Sequence, residues 1–319
     1  MAVQAVTRIE NDNVLMLTGD CAVTILPQFG GKISSILVKG HELLQAPLAP
    51  YGPRTRSMGF VESDASGWDE CLPSVAGCRA QTVNGPVEVP DHGDLWRIPW
   101  QVLSGANGWL SLRGECFSLP LSLLRNLTLT QTEKGYRLRA DYQVTNTGTA
   151  ETPWAWSAHS CYAAEAGDFV LLPESIKTLR LEGGVGDRLG KGGDSVAWPI
   201  ARLANGGETN ISVATPIETG TGDKLFAGPL SAAENWCALE RPSAGVRILV
   251  SFDPAATPYL GLWLCNGGWP ERPGSKQHCA ALEPATAQVD SLAISGPWSR
   301  VLAAGESFSW PMTVDLEVL

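Results

Sequence analysis

The sequence predicts an all-β protein, a large antiparallel β-sandwich assembled from many short strands. Three observations lead to it. Apolar and polar residues alternate with a period of two along most of the chain, Gly and Pro interrupt these runs at short intervals, and no stretch carries the 3.6-residue period of an amphipathic helix. Consecutive strands joined by short turns fold back on one another, which favours a sandwich over a parallel α/β sheet. With 319 residues and no internal repeat, the chain is expected to form one domain over residues 1–319, since all-β sandwiches of this size often remain undivided.

In chain order, short strand-like runs occur at Val14–Leu17, Ala22–Leu26, Lys32–Val38 and Trp109–Cys116. A hairpin follows, with Arg125–Thr132 and Tyr136–Thr145 alternating on either side of Glu133-Lys134-Gly135. Strict alternation from Tyr136 to Thr145 predicts a strand with one face buried and one in water. Further runs lie at Val246–Phe252, Tyr259–Leu264 and Met312–Leu319, and a strand is expected around Trp96, Ile98 and Trp100. Residues 45–90 and 266–277 read as long irregular stretches, which in a compact domain usually build sites. The glycine-rich segment 183–193 imitates a phosphate loop. It has Val185 where the first Gly belongs and Gly192 where Ser or Thr is needed, so a surface loop is the better reading.

A net charge of -10 and the lack of any Lys/Arg run argue against nucleic acid as a partner. No run of ~18 apolar residues suggests a membrane span, and the first residues lack the pattern of a signal peptide. The expectation is a cytoplasmic protein whose eight cysteines are reduced and mostly buried, because they show no paired spacing. No metal site is expected, since Cys71 with Cys78 and His278 with Cys279 lack zinc-ligand spacing. A serine hydrolase is excluded by the absence of a Gly-x-Ser-x-Gly elbow.

Candidate chemistry concentrates on a few residues. Glu283 stands in the apolar run Cys279-Ala280-Ala281-Leu282-Glu283-Pro284-Ala285-Thr286. It is either an edge-strand glutamate in water or a buried carboxylate suited to proton transfer. Four histidines occur. His41 reads as a turn residue at the surface and His278 as a strand start. His92, in Asp91-His92-Gly93-Asp94, is a turn histidine bonded to a neighbouring Asp or a site residue. His159, among aromatic and small residues, is a neutral core histidine or a site residue. Twelve tryptophans are many, and Trp68, Trp96, Trp100, Trp154, Trp156, Trp263 and Trp269 lie near these candidates in sequence. Each could be core, or an aromatic wall for the apolar face of a sugar ring.

The order of these motifs resembles the aldose 1-epimerase (galactose mutarotase-like) family. It runs from Phe29-Gly30-Gly31-Lys32-Ile33-Ser34-Ser35-Ile36 and Gly40-His41-Glu42-Leu43-Leu44, through Asp91-His92-Gly93 and His159 with Tyr162, to Gly222-Asp223-Lys224-Leu225-Phe226 and Leu282-Glu283-Pro284. Where the family pattern reads Asn-His-x-Tyr-Phe, this chain has Ala158-His159-Ser160-Cys161-Tyr162. The resemblance implies a galactose mutarotase-like super-sandwich with a sugar pocket on one concave face. Glu283 would be the general base that takes the proton of the anomeric hydroxyl, and His159 the general acid at the ring oxygen, placed on opposite sides of the C1–O5 unit. His92 and Asp223 would bind the sugar, Arg54 or Arg56 would stand for the family's arginine, and Trp68, Asp69, Glu70 and Trp269 are further binding candidates. The implied reaction is interconversion of α and β anomers of a monosaccharide without a cofactor, by a monomer or homodimer. The alternatives are a hexose-phosphate epimerase, which needs a basic cluster such as Arg54, Arg56, Arg79 and Lys276, or a carbohydrate-binding protein without turnover.

Overall fold

The computed structural model describes residues 4–10 and 13–319, and two large antiparallel sheets dominate it. One sheet has 12 strands. From its N-terminal edge it runs Val6–Glu10, Asn13–Thr18, Cys21–Leu26, Lys32–Val38, Trp68–Cys71, Ser157–Ala163, His278–Ala285, Tyr259–Asn266, Thr221–Ala227, Thr178–Gly184 and Ser195–Ala197, with His41–Glu42 added beside Lys32–Val38. The other has 8 strands, in the order Phe169–Leu171, Trp236–Arg241, Val246–Phe252, Ser307–Val318, Gly135–Asn146, Leu121–Gln131, Trp109–Glu115 and Gln101–Ala106. Among the described residues no helix is long and apolar enough to cross a membrane.

The alternating pattern explains the packing. Along Gly135–Asn146, Tyr136, Leu138, Ala140, Tyr142 and Val144 are buried while Arg137 and Arg139 face water, as the sequence predicts. Leu123, Leu127, Val250 and Val314 from the smaller sheet join Val23, Ile25, Ile33, Leu262 and Leu282 from the larger in one core cluster between the two. The cysteines are all free thiols.

One charged group crosses this core. Arg125, on the smaller sheet, reaches Glu70 on the larger with Nη1 to Oε1 at 2.9 Å, and both are fully buried. Tyr142 donates to the same oxygen and the Trp156 indole N–H to the other, each at 2.9 Å, while Arg125 also donates to the Gly31 carbonyl. Burial pushes the Glu70 carboxyl up, and Arg125 with these donors pulls against it.

Two expectations are corrected. Residues 45–90 contain the strand Trp68–Cys71 and the hairpin Cys78–Thr82 with Gly85–Val89. The first is buried throughout and so shows no alternation. Conversely, Leu95–Arg97 is a 3-10 turn and not a strand, because Arg97 turns inward to donate to the carbonyls of Met58, Asp91 and Gly93.

Candidate functional site

The middle strands of the larger sheet are covered on both faces. Alternation along Ser157–Ala163 and His278–Ala285 sends Ala158, Tyr162, Ala280 and Leu282 into the inter-sheet core. The opposite face carries His159, Cys161, Cys279, Ala281 and Glu283. On that face lies a cavity of about 600 Å³, whose wall includes Glu283, His159, His92, Trp269, Trp263, Lys224, Asp91, Asp290 and Phe60.

Sheet register fixes the relation of His159 and Glu283. Ser157 pairs with Ala285 and Cys161 with Ala281, so His159 lies opposite Glu283 on the neighbouring strand. Cross-strand neighbours of this kind have Cβ atoms about 4.5–5.5 Å apart. The two therefore stand side by side on the cavity wall.

Glu283 is fully buried. Its Oε2 accepts from Lys224 Nζ, and Oε1 has no hydrogen-bond partner among the described residues. Gly261, directly opposite Glu283 on the next strand, makes the lysine contact feasible. A Cβ at Gly261 would come within 3.2 Å of Glu283 Oε2 and of the Phe226 ring. Gly261→Val is expected to lower stability by ~1–3 kcal/mol through overpacking, read as a shift of the urea midpoint. Lys224 also lies 3.6 Å from Asp290 Oδ1. Burial alone would depress its ammonium, but Asp290 and Glu283 outweigh it and push its pKa up.

His92 is a turn residue and a cavity residue at once. Its backbone is left-handed at φ 59°, followed by Gly93 at 68°, where a Cβ would strike the Leu72 carbonyl. Its Nδ1 lies 2.9 Å from Asp91 Oδ2, and its ring stacks on Phe60 at 3.8 Å between centroids. Burial would raise the Asp91 carboxyl, but the bond to His92 and the charges of His92 and Arg97 hold it below the ordinary range. His159 packs edge-on against both His92 and Phe60, at 5.0 and 5.4 Å. Arg97 ties the 58–62 loop to the 91–93 turn through its carbonyl bonds.

Other candidates lie elsewhere. Asp223 is one residue out of phase with the cavity face and is buried in a pair with Arg188, Nε to Oδ2 3.0 Å. Lys224 occupies the place expected for it. Trp68 and Glu70 face the core. Asp69 shares the face of His159 but is held by Lys32 at 2.5 Å, beneath Asp64, which Arg54 binds at 2.5 Å. Arg54 is therefore neutralised outside the cavity, and Arg56 lies over the Phe117 ring. Of the tryptophans, Trp263 and Trp269 line the cavity, while in the core Trp154 stacks on Trp310 and Trp156 meets it edge-on. His41 is exposed, and His278 opens its strand with Nε2 2.9 Å from the Thr215 carbonyl oxygen. Sequence reasoning missed Phe60, Asp91, Lys224 and Asp290 as cavity residues.

No protein-family model matches this chain, and no curated protein matches it in sequence. Solved structures do match in fold. Slr1438 protein from Synechocystis sp. PCC 6803 superposes with a TM-score of 0.69 at 17% identity, over 100% of this chain and 97% of that one. A galactose mutarotase-like protein from Lactobacillus casei gives 0.67 at 15% identity, over 96% and 100% of the two chains. Another, from Clostridium acetobutylicum, gives 0.67 at 16%, over 100% and 99%. The chain thus has the galactose mutarotase-like fold, as its motif order implies.

Proposed function

We infer that the protein is a sugar epimerase that interconverts the α and β anomers of an uncharged aldose. The observation that carries this reading is the placement of Glu283 beside His159 on the floor of one aromatic-walled cavity. A volume of about 600 Å³ is ample for a monosaccharide, within the ~300–1,000 Å³ usual for small-molecule pockets. The Glu283 carboxylate accepts the proton of the anomeric hydroxyl while His159 protonates the ring oxygen. The C1–O5 bond opens, C1–C2 rotates, and reclosure on the other face delivers the second anomer. His92 and Asp91 offer polar contacts to ring hydroxyls, and Trp269 an apolar wall. Trp269→Ala is expected to weaken sugar binding by about 1 kcal/mol, read as a several-fold rise in KM with kcat little changed.

Charge argues against a phosphorylated substrate. Among the described residues, Glu62, Asp91, Glu283 and Asp290 line the cavity with Lys224 as the sole Lys or Arg cation. The cations that could have held a phosphate lie elsewhere: Arg54 on Asp64, Arg56 over the Phe117 ring, Arg79 beside Glu88, and Lys276 on the Arg272 carbonyl. A dianion would meet like charge on desolvation, which is costly. Polarimetry across free aldoses and their 6-phosphates tests the assignment. Acceleration restricted to free sugars is expected, strict dependence on phosphate would reverse the choice, and binding without acceleration would make the protein a carbohydrate-binding module.

A further inference from the structure

His159 does not stand alone on the cavity floor. Two residues along its own strand, Cys161 projects from the same face, with Sγ 3.7 Å from His159 Nδ1. Both are buried, Cys161 at 1% exposure and His159 at 7%. Cys161 sits in a pocket of small residues with Cys265, Cys279 and Ala281, covered by Trp263 and Trp269. Cys161 is not among the residues lining the cavity. The sulfur therefore meets the imidazole from behind, at the nitrogen that is not needed for substrate.

We propose that Cys161 is the positioning residue of His159: its sulfur accepts the Nδ1–H, fixing the ring so that Nε2 is the nitrogen that exchanges a proton with the sugar. This rests on the epimerase reading above. It also specifies what that reading leaves open, because a histidine can act through either nitrogen and its partner decides which. The proton balance is simple. Nδ1 keeps its proton throughout the cycle, and Nε2 gains one from solvent or sugar and passes it to the ring oxygen.

Electrostatics fit this arrangement. Burial pushes His159 below the ordinary histidine range, and Cys161 is the group that pulls it back up. A hydrogen bond with the Cys279 thiol pulls the Cys161 thiol below the ordinary range, with burial opposing and His159 assisting. The same hydrogen bond, together with burial, raises the Cys279 thiol. The other groups facing the pair are His92 and Lys224, which disfavour the imidazolium. Glu283 stands on the adjoining strand and Cys265 on the strand beyond it, and Asp69, opposite His159, is already bound to Lys32.

The sign of the pH effect follows. The imidazolium is the acid form and is lost as pH rises through its pKa. Without the sulfur anion that pKa falls further, so the alkaline limb of the kcat profile moves to lower pH in Cys161→Ala. Cys161→Ser retains a hydrogen-bonding atom without the charge. It is expected to recover much of kcat but to keep the displaced limb. The loss of kcat in Cys161→Ala should be on the order of 10²-fold, with KM little changed, because the ring is misplaced and sugar contacts remain.

Imidazole 15N chemical shifts test the placement without any turnover, with the His159 signals assigned by their loss in His159→Gln. Near neutral pH, the wild type is expected to show His159 protonated at Nδ1 and bare at Nε2, and Cys161→Ala to lose that preference. An unchanged tautomer and an unchanged pH profile in Cys161→Ala would overturn the proposal, even in an active epimerase. Conversely, a wild type that shows the Nδ1–H tautomer but does not speed anomer exchange would remove the epimerase reading and leave the Cys161–His159 pairing standing.

Discussion

Replacing Glu283 by glutamine should slow anomer interconversion by on the order of 10²–10⁴-fold, the usual contribution of a positioned general base. Glutamine matches glutamate in size, so the cavity floor keeps its shape and Trp269 and His92 still meet the sugar. What disappears is the basic carboxylate at the cavity wall. Lys224 retains Asp290 at 3.6 Å as a counter-charge, so the ammonium is not stranded. Polarimetric kcat measured beside sugar affinity by calorimetry separates the two effects. Full rate in Glu283→Gln would assign the proton to another group.

The largest stability effect is expected at Glu70, on the core side of the larger sheet. Among the described residues, Glu70→Ala leaves the fully buried Arg125 guanidinium with the Gly31 carbonyl as its one hydrogen-bond acceptor, besides the Trp100 ring it lies over, and removes the acceptor of Tyr142 and Trp156. Breaking a buried ion pair from one side typically costs ~3–5 kcal/mol, because the remaining charge stays desolvated. Equilibrium urea denaturation reads this directly. Double replacement of Glu70 and Arg125 by apolar residues should recover much of the loss. A single-mutant cost under about 1 kcal/mol would show that water or rearrangement satisfies Arg125.

The fold was legible in the sequence wherever a strand has one wet face. Tyr136–Thr145 shows its alternation because Arg137 and Arg139 are in water while their neighbours are in the core. The site strands conceal theirs. Ser157–Ala163 is buried on the core side and again beneath the cavity loops, so no polar period survives. Glu283 stood out for the same reason, a carboxylate in a run with no exposed face. Assignments that failed did so by one residue or by an intervening partner. Asp223 and Lys224 are adjacent, and a single step along a strand reverses the face presented. The same step separates Asp69 from Glu70, and Lys32 then covers Asp69. Phe60, Asp91 and Asp290 come from loops and turns whose convergence depends on long-range contacts such as those of Arg97.

Exchange of magnetisation between the α and β anomeric protons of a free aldose, followed by NMR at equilibrium, tests the central claim most directly. Exchange that rises in proportion to protein concentration for the wild type, and drops to the uncatalysed rate in Glu283→Gln, is the predicted result. Exchange at the uncatalysed rate with the wild type, across sugars whose resonances broaden on binding, would contradict it.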